Sequence, residues 1–237
     1  MLTITELFEA GAHFGHKKEK SFPRAREFTY AIRDNVYVVD LEKTLQQLQK
    51  AIDYLKKSIQ DGKIILFVGT KRQAKDAVKK IAQDLNLPYM TERWPGGMLT
   101  NFETIRRSLK TLTDLEGEMA SEEFKLFTKK ERKRIEEKCQ KLNLIFEGVK
   151  NLRSLPDVLL VVDTAKEDVA VKEALKKEIP IVGICDTNAN PDLIDIPIPA
   201  NDDSKKTIEL ILGKIKEGIK EKREEKKEKS EIKEDAK

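Results

Sequence analysis

Three short apolar runs set the tightest limit on what this chain can fold into. They are "KIILFVGT" (63–70), "DVLLVVDT" (157–164) and "IPIVGICDT" (179–187). Each is rich in Val and Ile without polar alternation, the pattern of a strand covered on both faces and hence of a parallel sheet. "YVVDL" (37–41) and "LPYM" (87–90) read as further strands. Helical patterns lie between them. "LEKTLQQLQKAIDYLKKSIQDG" has apolar residues at 41, 45, 48, 52, 55 and 59, with Gly62 as its stop. "RQAKDAVKKIAQDL" and "EDVAVKEALKKE" follow strands directly. Strand–helix alternation predicts an α/β fold with right-handed crossovers.

Residues 104–153 break this rhythm. Ile105, Leu109, Leu112, Leu115 and Met119 recur at three-to-four spacing, as do Ile135, Cys139, Leu142, Phe146 and Val149. Narrow apolar seams in otherwise charged segments let two helices pair with each other. The expectation is an antiparallel helical hairpin inserted into a single α/β domain of residues 1–103 and 154–213, with two ordinary surface helices as the alternative. Residues 214–237 are almost purely charged. They read as a solvated tail that prolongs the preceding helix and then frays, with too little apolar surface to offset ordering.

The formal net charge of +4 hides an asymmetry. Residues 1–103 and 104–153 each carry +4, residues 154–213 carry −6, and residues 214–237 carry +2. A basic front and an acidic lobe suggest one face for a polyanion and another for a different neighbour. Cys139 and Cys185 are isolated, fit no zinc spacing and suggest no disulfide framework. No apolar run approaches the roughly 20 residues of a membrane helix, and "MLTITELFEAG" lacks the basic and apolar regions of a signal peptide. A cytoplasmic protein is the expectation.

Four stretches carry candidate chemistry. "FVGTKRQAK" places Gly69, Thr70, Lys71 and Arg72 where a strand turns into a helix, a setting that suits a phosphate. It is neither a P-loop nor a G-x-G-x-x-G fingerprint, so a backbone phosphate of a nucleic acid fits as well as a nucleotide. Asp163 and Asp186 end strands, in the crevice where open α/β sheets usually bind ligands, and Asp202 and Asp203 precede a helix. Capping and turn-making are the simpler readings of these four. The sharper one brings His16, Asp186 and Asp202 together around a structural divalent metal through mixed N and O ligands.

"ERWPGGMLTNFETIRRSLK" (92–110) joins an irregular Pro-Gly-Gly turn to the lone Trp94 and to a helix exposing Arg106 and Arg107. Aromatic, glycine and arginine together suit RNA, though a lone Trp is usually at least partly core. "AGAHFGHKKEKSFPRAREF" (10–28) holds both histidines, His13 and His16, followed by Lys17, Lys18, Lys20, Arg24 and Arg26. No Ser-His-Asp or Cys-His order suggests itself, and no carboxylate pair can be assigned to acid–base work. An enzyme using a nucleotide or sugar phosphate at the strand ends is the rival reading, and the missing phosphate fingerprint counts against it.

The strings "GAHFGHKK", "VVDLEKT", "FVGTKRQA", "RWPGGMLTNFETIRRSL", "LPDVLLVVDTAKEDVAVKEA" and "IVGICDTNANPDLIDIPIPANDDS" closely resemble the S-two family, protein two of the bacterial small ribosomal subunit. The resemblance runs in order from about Leu7 to Leu212. It implies a flavodoxin-like (Rossmann-type) parallel sheet with helices on both faces, an inserted coiled-coil hairpin and no enzymatic activity. It implies binding to small-subunit ribosomal RNA, neighbouring ribosomal proteins as partners, help in docking ribosomal protein S-one, and neither a membrane nor a small-molecule substrate. By that match Gly11, His13, Phe14, Gly15 and His16 belong to an N-terminal signature, and Arg93, Trp94, Pro95, Gly96, Gly97 and Asn101 to a second one. One departure stands out: members commonly carry a Trp-Asn-Pro-Lys-like string where this chain has "KEKSFPRAREF". The expected RNA-facing set is Gly11, His13, Phe14, Gly15, His16, Lys17, Lys18, Arg24, Arg26, Lys71, Arg72, Arg93, Asn101, Arg106 and Arg107.

Overall fold

Side chains that alternate across a doubly covered sheet explain the architecture of this computed structural model, which describes residues 2–235 and the side chains of residues 2–222. In chain order, α1 (Ile4–Glu9) leads to β1 (Phe14–Lys17), β2 (Thr29–Arg33), β3 (Val36–Val39) and α2 (Leu41–Gln60). Next come β4 (Ile65–Val68), α3 (Lys75–Asp84), β5 (Tyr89–Met90), α4 (Phe102–Ala120) and α5 (Lys129–Phe146). The chain closes with β6 (Val158–Val162), α6 (Asp168–Lys176), β7 (Ile181–Cys185), β8 (Ile196–Pro199) and α7 (Lys205–Asp235).

The larger sheet is parallel throughout, in the order β5-β4-β6-β7-β8. Counted along the chain within that sheet, this is the 2-1-3-4-5 order of a flavodoxin-type doubly wound sheet. Ile65 and Phe67 of β4 face a core shared with α2, α3 and α7, including Leu48, Leu55, Val78 and Ile211. Leu66 and Val68 face the opposite core, with Leu109, Leu112, Phe146, Val171 and Ala174. The chain thus forms a Rossmann-like α/β domain flanked by helices.

The strand read at 37–41 exists as β3, but in a second sheet. It lies between β1 and β2 in an antiparallel three-stranded sheet packed beside the parallel one. Its apolar pattern gave its burial and not its partner. The fifth parallel strand is instead β8, "IPIP", where Pro197 faces Gly183 and Pro199 faces Cys185. Proline lacks the N–H that a second neighbour would need, so an edge is where such a strand belongs.

Helices α4 and α5 pack on each other and on the sheet. Ile105, Leu109, Leu112 and Leu115 of α4 are buried with Cys139 and Phe146 of α5, and Lys150 Nζ meets Glu116 Oε1 at 2.5 Å. Helix α5 starts at a capping box in which Thr128 and Glu131 exchange side-chain and backbone hydrogen bonds. Helix α7 continues well past Gly213, and Ile215 and Ile219 are completely buried with Ile208, Ile211 and Leu212. Two isoleucines four residues apart suffice to seat another turn of a highly charged helix. The fraying expected at its far end falls outside the described side chains.

Candidate functional site

The carboxyl ends of the parallel strands converge on Lys71. It follows β4, Asp163 follows β6, Asp186 follows β7, and Asp202 and Asp203 follow β8. The Lys71 ammonium lies 2.9 Å from Asp163 Oδ2, 2.5 Å from Asp202 Oδ1 and 2.6 Å from Asp203 Oδ1. Burial alone would lower its pKa, but the carboxylates of Asp202, Asp203 and Asp163 outweigh that and keep it firmly protonated. Asp202 is fully buried. Desolvation, followed by the charges of Asp163 and Asp186, raises its pKa to about 7 against the opposing pull of Lys71. Asp202 Oδ2 has no hydrogen-bond partner.

This changes the reading of the strand–helix turn. Its lysine is turned inward and neutralised rather than left free for a phosphate. The neighbouring amide is also taken: Thr70 N donates to Glu167 Oε1 at 2.8 Å and Thr70 Oγ1 at 2.6 Å. Burial raises the pKa of Glu167. Arg72 remains exposed.

The N-terminal arm is docked on the same end of the sheet. His16 Nδ1 lies 3.1 Å from Asp186 Oδ2, and His16 Nε2 lies 3.7 Å from Asp203 Oδ2. The hydrogen bond to Asp186 raises the His16 pKa, ahead of the opposing effect of burial. His16 N donates to Thr187 Oγ1 at 2.8 Å and Phe22 N to Thr187 O at 2.7 Å. Gly15 is needed for this approach, because a Cβ there would lie 2.8 Å from Thr187 Cγ2 and 2.9 Å from Tyr37 O. Further back, Asn201 Nδ2 donates to Gly11 O at 3.0 Å, and Gly11 has φ +79°. His13 stacks between Phe8 at 4.2 Å and Phe14 at 4.1 Å. Burial lowers its pKa, which suits a neutral structural ring.

Of the expected metal trio, His16 and Asp186 meet, while one oxygen of Asp202 is claimed by Lys71. Among the described residues no group of three or more His, Cys, Asp or Glu side chains stands at metal-holding spacing.

A second construction lies after β5. Glu173 of α6 accepts from Trp94 Nε1 (3.2 Å), Gly97 N (2.7 Å), Leu99 N (2.9 Å), Thr100 N (3.0 Å) and Thr100 Oγ1 (3.1 Å). Burial would raise its pKa, but these donors outweigh it and hold the carboxylate ionised. Trp94 is only 8% exposed, so it anchors the loop and offers no stacking face. The loop's outward groups are Arg93, Gly96 and Asn101, continued on α4 by Arg106 and Arg107. Glu173 went unread in the sequence. Its signal was available, an acidic residue on the buried stripe of Ala170, Val171 and Ala174.

On the N-terminal arm and the loop after β5 several cations lie outside these networks. Lys17, Lys18, Lys20, Arg26, Arg72, Arg93 and Arg107 are exposed and, among the described residues, form no ion pair. Arg24 pairs with Asp192 at 3.2 Å and Arg106 with Glu103 at 3.5 Å.

Fold and site together define a Rossmann-like α/β protein whose strand-end crevice is closed by its own lysine and aspartates, with unpaired cations outside. The chain belongs to the ribosomal protein S2 family, whose model matches residues 7–222. That family is structural and not enzymatic, and its members are components of the ribosome. Relatives named small ribosomal subunit protein uS2 include one from Coprothermobacter proteolyticus, 44% identical over 94% of this chain and 84% of its own length. Another, from Helicobacter hepaticus, is 42% identical over 95% and 85%. A third, from Amoebophilus asiaticus, is 48% identical over 93% and 71%. No described helix is long and apolar enough to cross a membrane.

Proposed function

We propose that this protein is a structural constituent of the small ribosomal subunit, working on cytoplasmic ribosomes, and that it binds small-subunit ribosomal RNA through its N-terminal arm and its 93–107 loop. The observation that carries this is the division of charge. The aspartates at the strand ends pair internally with Lys71 and His16, while Lys17, Lys18, Arg26, Arg93 and Arg107 are exposed and, among the described residues, form no ion pair. Free cations on a rigid frame neutralise phosphates and release counterions. Gly15 lets the arm lie close against Thr187 and the Tyr37 carbonyl. The α4–α5 pair is the antiparallel coiled-coil arm of the resemblance, with Lys129, Lys130, Arg132, Lys133 and Arg134 on it. The acidic lobe of residues 154–213 is the side offered to neighbouring proteins, S-one among them. Sedimentation with ribosomal subunits in sucrose gradients at low and high salt tests the reading. Association that weakens as salt rises supports it; free protein at every salt, with saturable mononucleotide binding, refutes it.

A divalent ion held by His16, Asp186 and Asp202 is the second reading, favoured by the unclaimed Asp202 Oδ2 though not by the spacing of the group. Four carboxylates there, Asp163, Asp186, Asp202 and Asp203, pair with only Lys71 and His16 as cations among the described residues. Metal analysis of the purified protein and of Asp186→Ala decides it: a bound ion lost in the variant supports the site, and no ion in either refutes it.

A further inference from the structure

Tyr30 sits at a break in the register of β2. Thr29 pairs with Val39 and Ala31 with Val38, so Tyr30 is an extra residue opposite a single step of β3. A bulge leaves its residue unpaired and re-aims the side chain. Strand β2 is also an edge of the three-stranded sheet. Tyr30 is 80% exposed and Ile32 is 50% exposed. Beside them runs a surface groove of about 340 Å³, lined by Tyr30, Ile32, Tyr37, Lys18 and Arg26 and by no acidic residue. Arg26 Nε donates to Tyr37 Oη at 3.1 Å, which fixes the guanidinium at the groove and uses one of its five N–H donors.

We infer that this groove is a stacking subsite for one unpaired RNA base, with the flanking phosphates held by Lys18 and Arg26. The inference rests on the RNA-facing reading of the arm and specifies which part of the RNA the arm takes. Phosphate contact alone needs no aromatic ring. An exposed tyrosine beside a flat aliphatic side chain gives a base a π-face and an apolar wall, and such stacking suits RNA whose bases are splayed out of the helix. Charge selects the occupant: Lys17, Lys18, Lys20, Arg26 and Arg33 are exposed, and none forms an ion pair among the described residues.

The experiment compares the full-length protein with Tyr30→Ala, Tyr30→Phe and Arg26→Ala for binding to purified small-subunit ribosomal RNA over a salt series. A fully paired RNA duplex serves as control. Tyr30→Ala is expected to lose about tenfold in affinity for ribosomal RNA with an unchanged salt slope. Its duplex binding and melting temperature should stay at the wild-type level, and Tyr30→Phe should bind normally. Arg26→Ala should lower the salt slope by about one. Wild-type affinity in Tyr30→Ala overturns the subsite while leaving the RNA-facing arm intact. If that variant binds RNA normally but fails to enter subunits, the groove takes a protein and the inference is wrong. If the wild type itself shows no salt-dependent RNA binding, the underlying reading fails and takes the subsite with it.

Discussion

The indole Nε1 of Trp94 donates to Glu173 Oε1 at 3.2 Å, joining the loop after β5 to the buried face of α6. The same carboxylate takes three backbone amides of that loop. One ionised side chain thus sets the shape of a segment that has little regular structure of its own. Glu173→Gln keeps the volume but turns an acceptor into a donor facing amides. It is expected to destabilise the protein by about 1–3 kcal/mol. Because Trp94 is the lone tryptophan, its emission reports on the loop directly. A red shift under native conditions is expected in the variant, and an unchanged spectrum would show that the loop holds its shape without Glu173.

Gly15→Ala tests the docking of the arm. The new Cβ would meet Thr187 Cγ2 and Tyr37 O inside normal contact distance, so the arm must lift or distort. Overpacking of this kind costs about 1–3 kcal/mol. Proteolysis should cleave residues 10–28 faster in the variant, while hydrogen exchange of β4, β6 and β7 stays slow. Equal protection of the arm would mean that it is not pinned at Thr187.

The crevice predicts a pH dependence. Asp202 takes up a proton more readily folded than unfolded, because its pKa rises from 3.8 to about 7. Its contribution to stability is therefore lost as pH climbs between those values. His16, with a raised pKa, contributes stability that disappears as pH passes its folded value, and Glu167 acts in the same direction as Asp202. His13 acts oppositely, since its lowered pKa favours folding once it is neutral. Melting temperature followed from pH 5 to pH 8 should fall more steeply for the wild type than for Asp202→Asn. Parallel curves would show that Asp202 is ionised throughout.

Leu112 is completely buried where α4 meets α5 and the sheet. Leu112→Ala is expected to cost about 2–5 kcal/mol in chemical denaturation. A cost well below that range would mean the helices are seated loosely.

The sequence disclosed the parts of this fold that are buried on both faces and hid those that are not. Strands β4, β6 and β7 are continuous apolar runs, legible without partners. Strand β8 carries Pro197 and Pro199, and β2 reads "TYAIR" with mixed exposure, so neither gives a strand pattern. Most crevice residues were legible by position: Lys71, Asp163 and Asp186 follow strands read from the sequence, and Asp202 was placed only as preceding a helix. Their mutual neutralisation was not, because one sequence does not say which ends of a sheet are neighbours. Glu173 and Tyr30 were missed for different reasons. Glutamate on a charged helix reads as solvated, and Tyr30 lies in a stretch that gave no strand pattern, so neither its bulge nor its exposure could be foreseen.

A crosslink map on intact small subunits carrying this protein tests the central claim most directly. Ultraviolet irradiation followed by mass spectrometry should place nucleotide adducts within residues 17–33 and 93–107, the surface that carries the exposed Lys17, Lys18, Arg26, Arg93 and Arg107. Adducts confined to residues 154–213, with the arm and loop untouched, would contradict it.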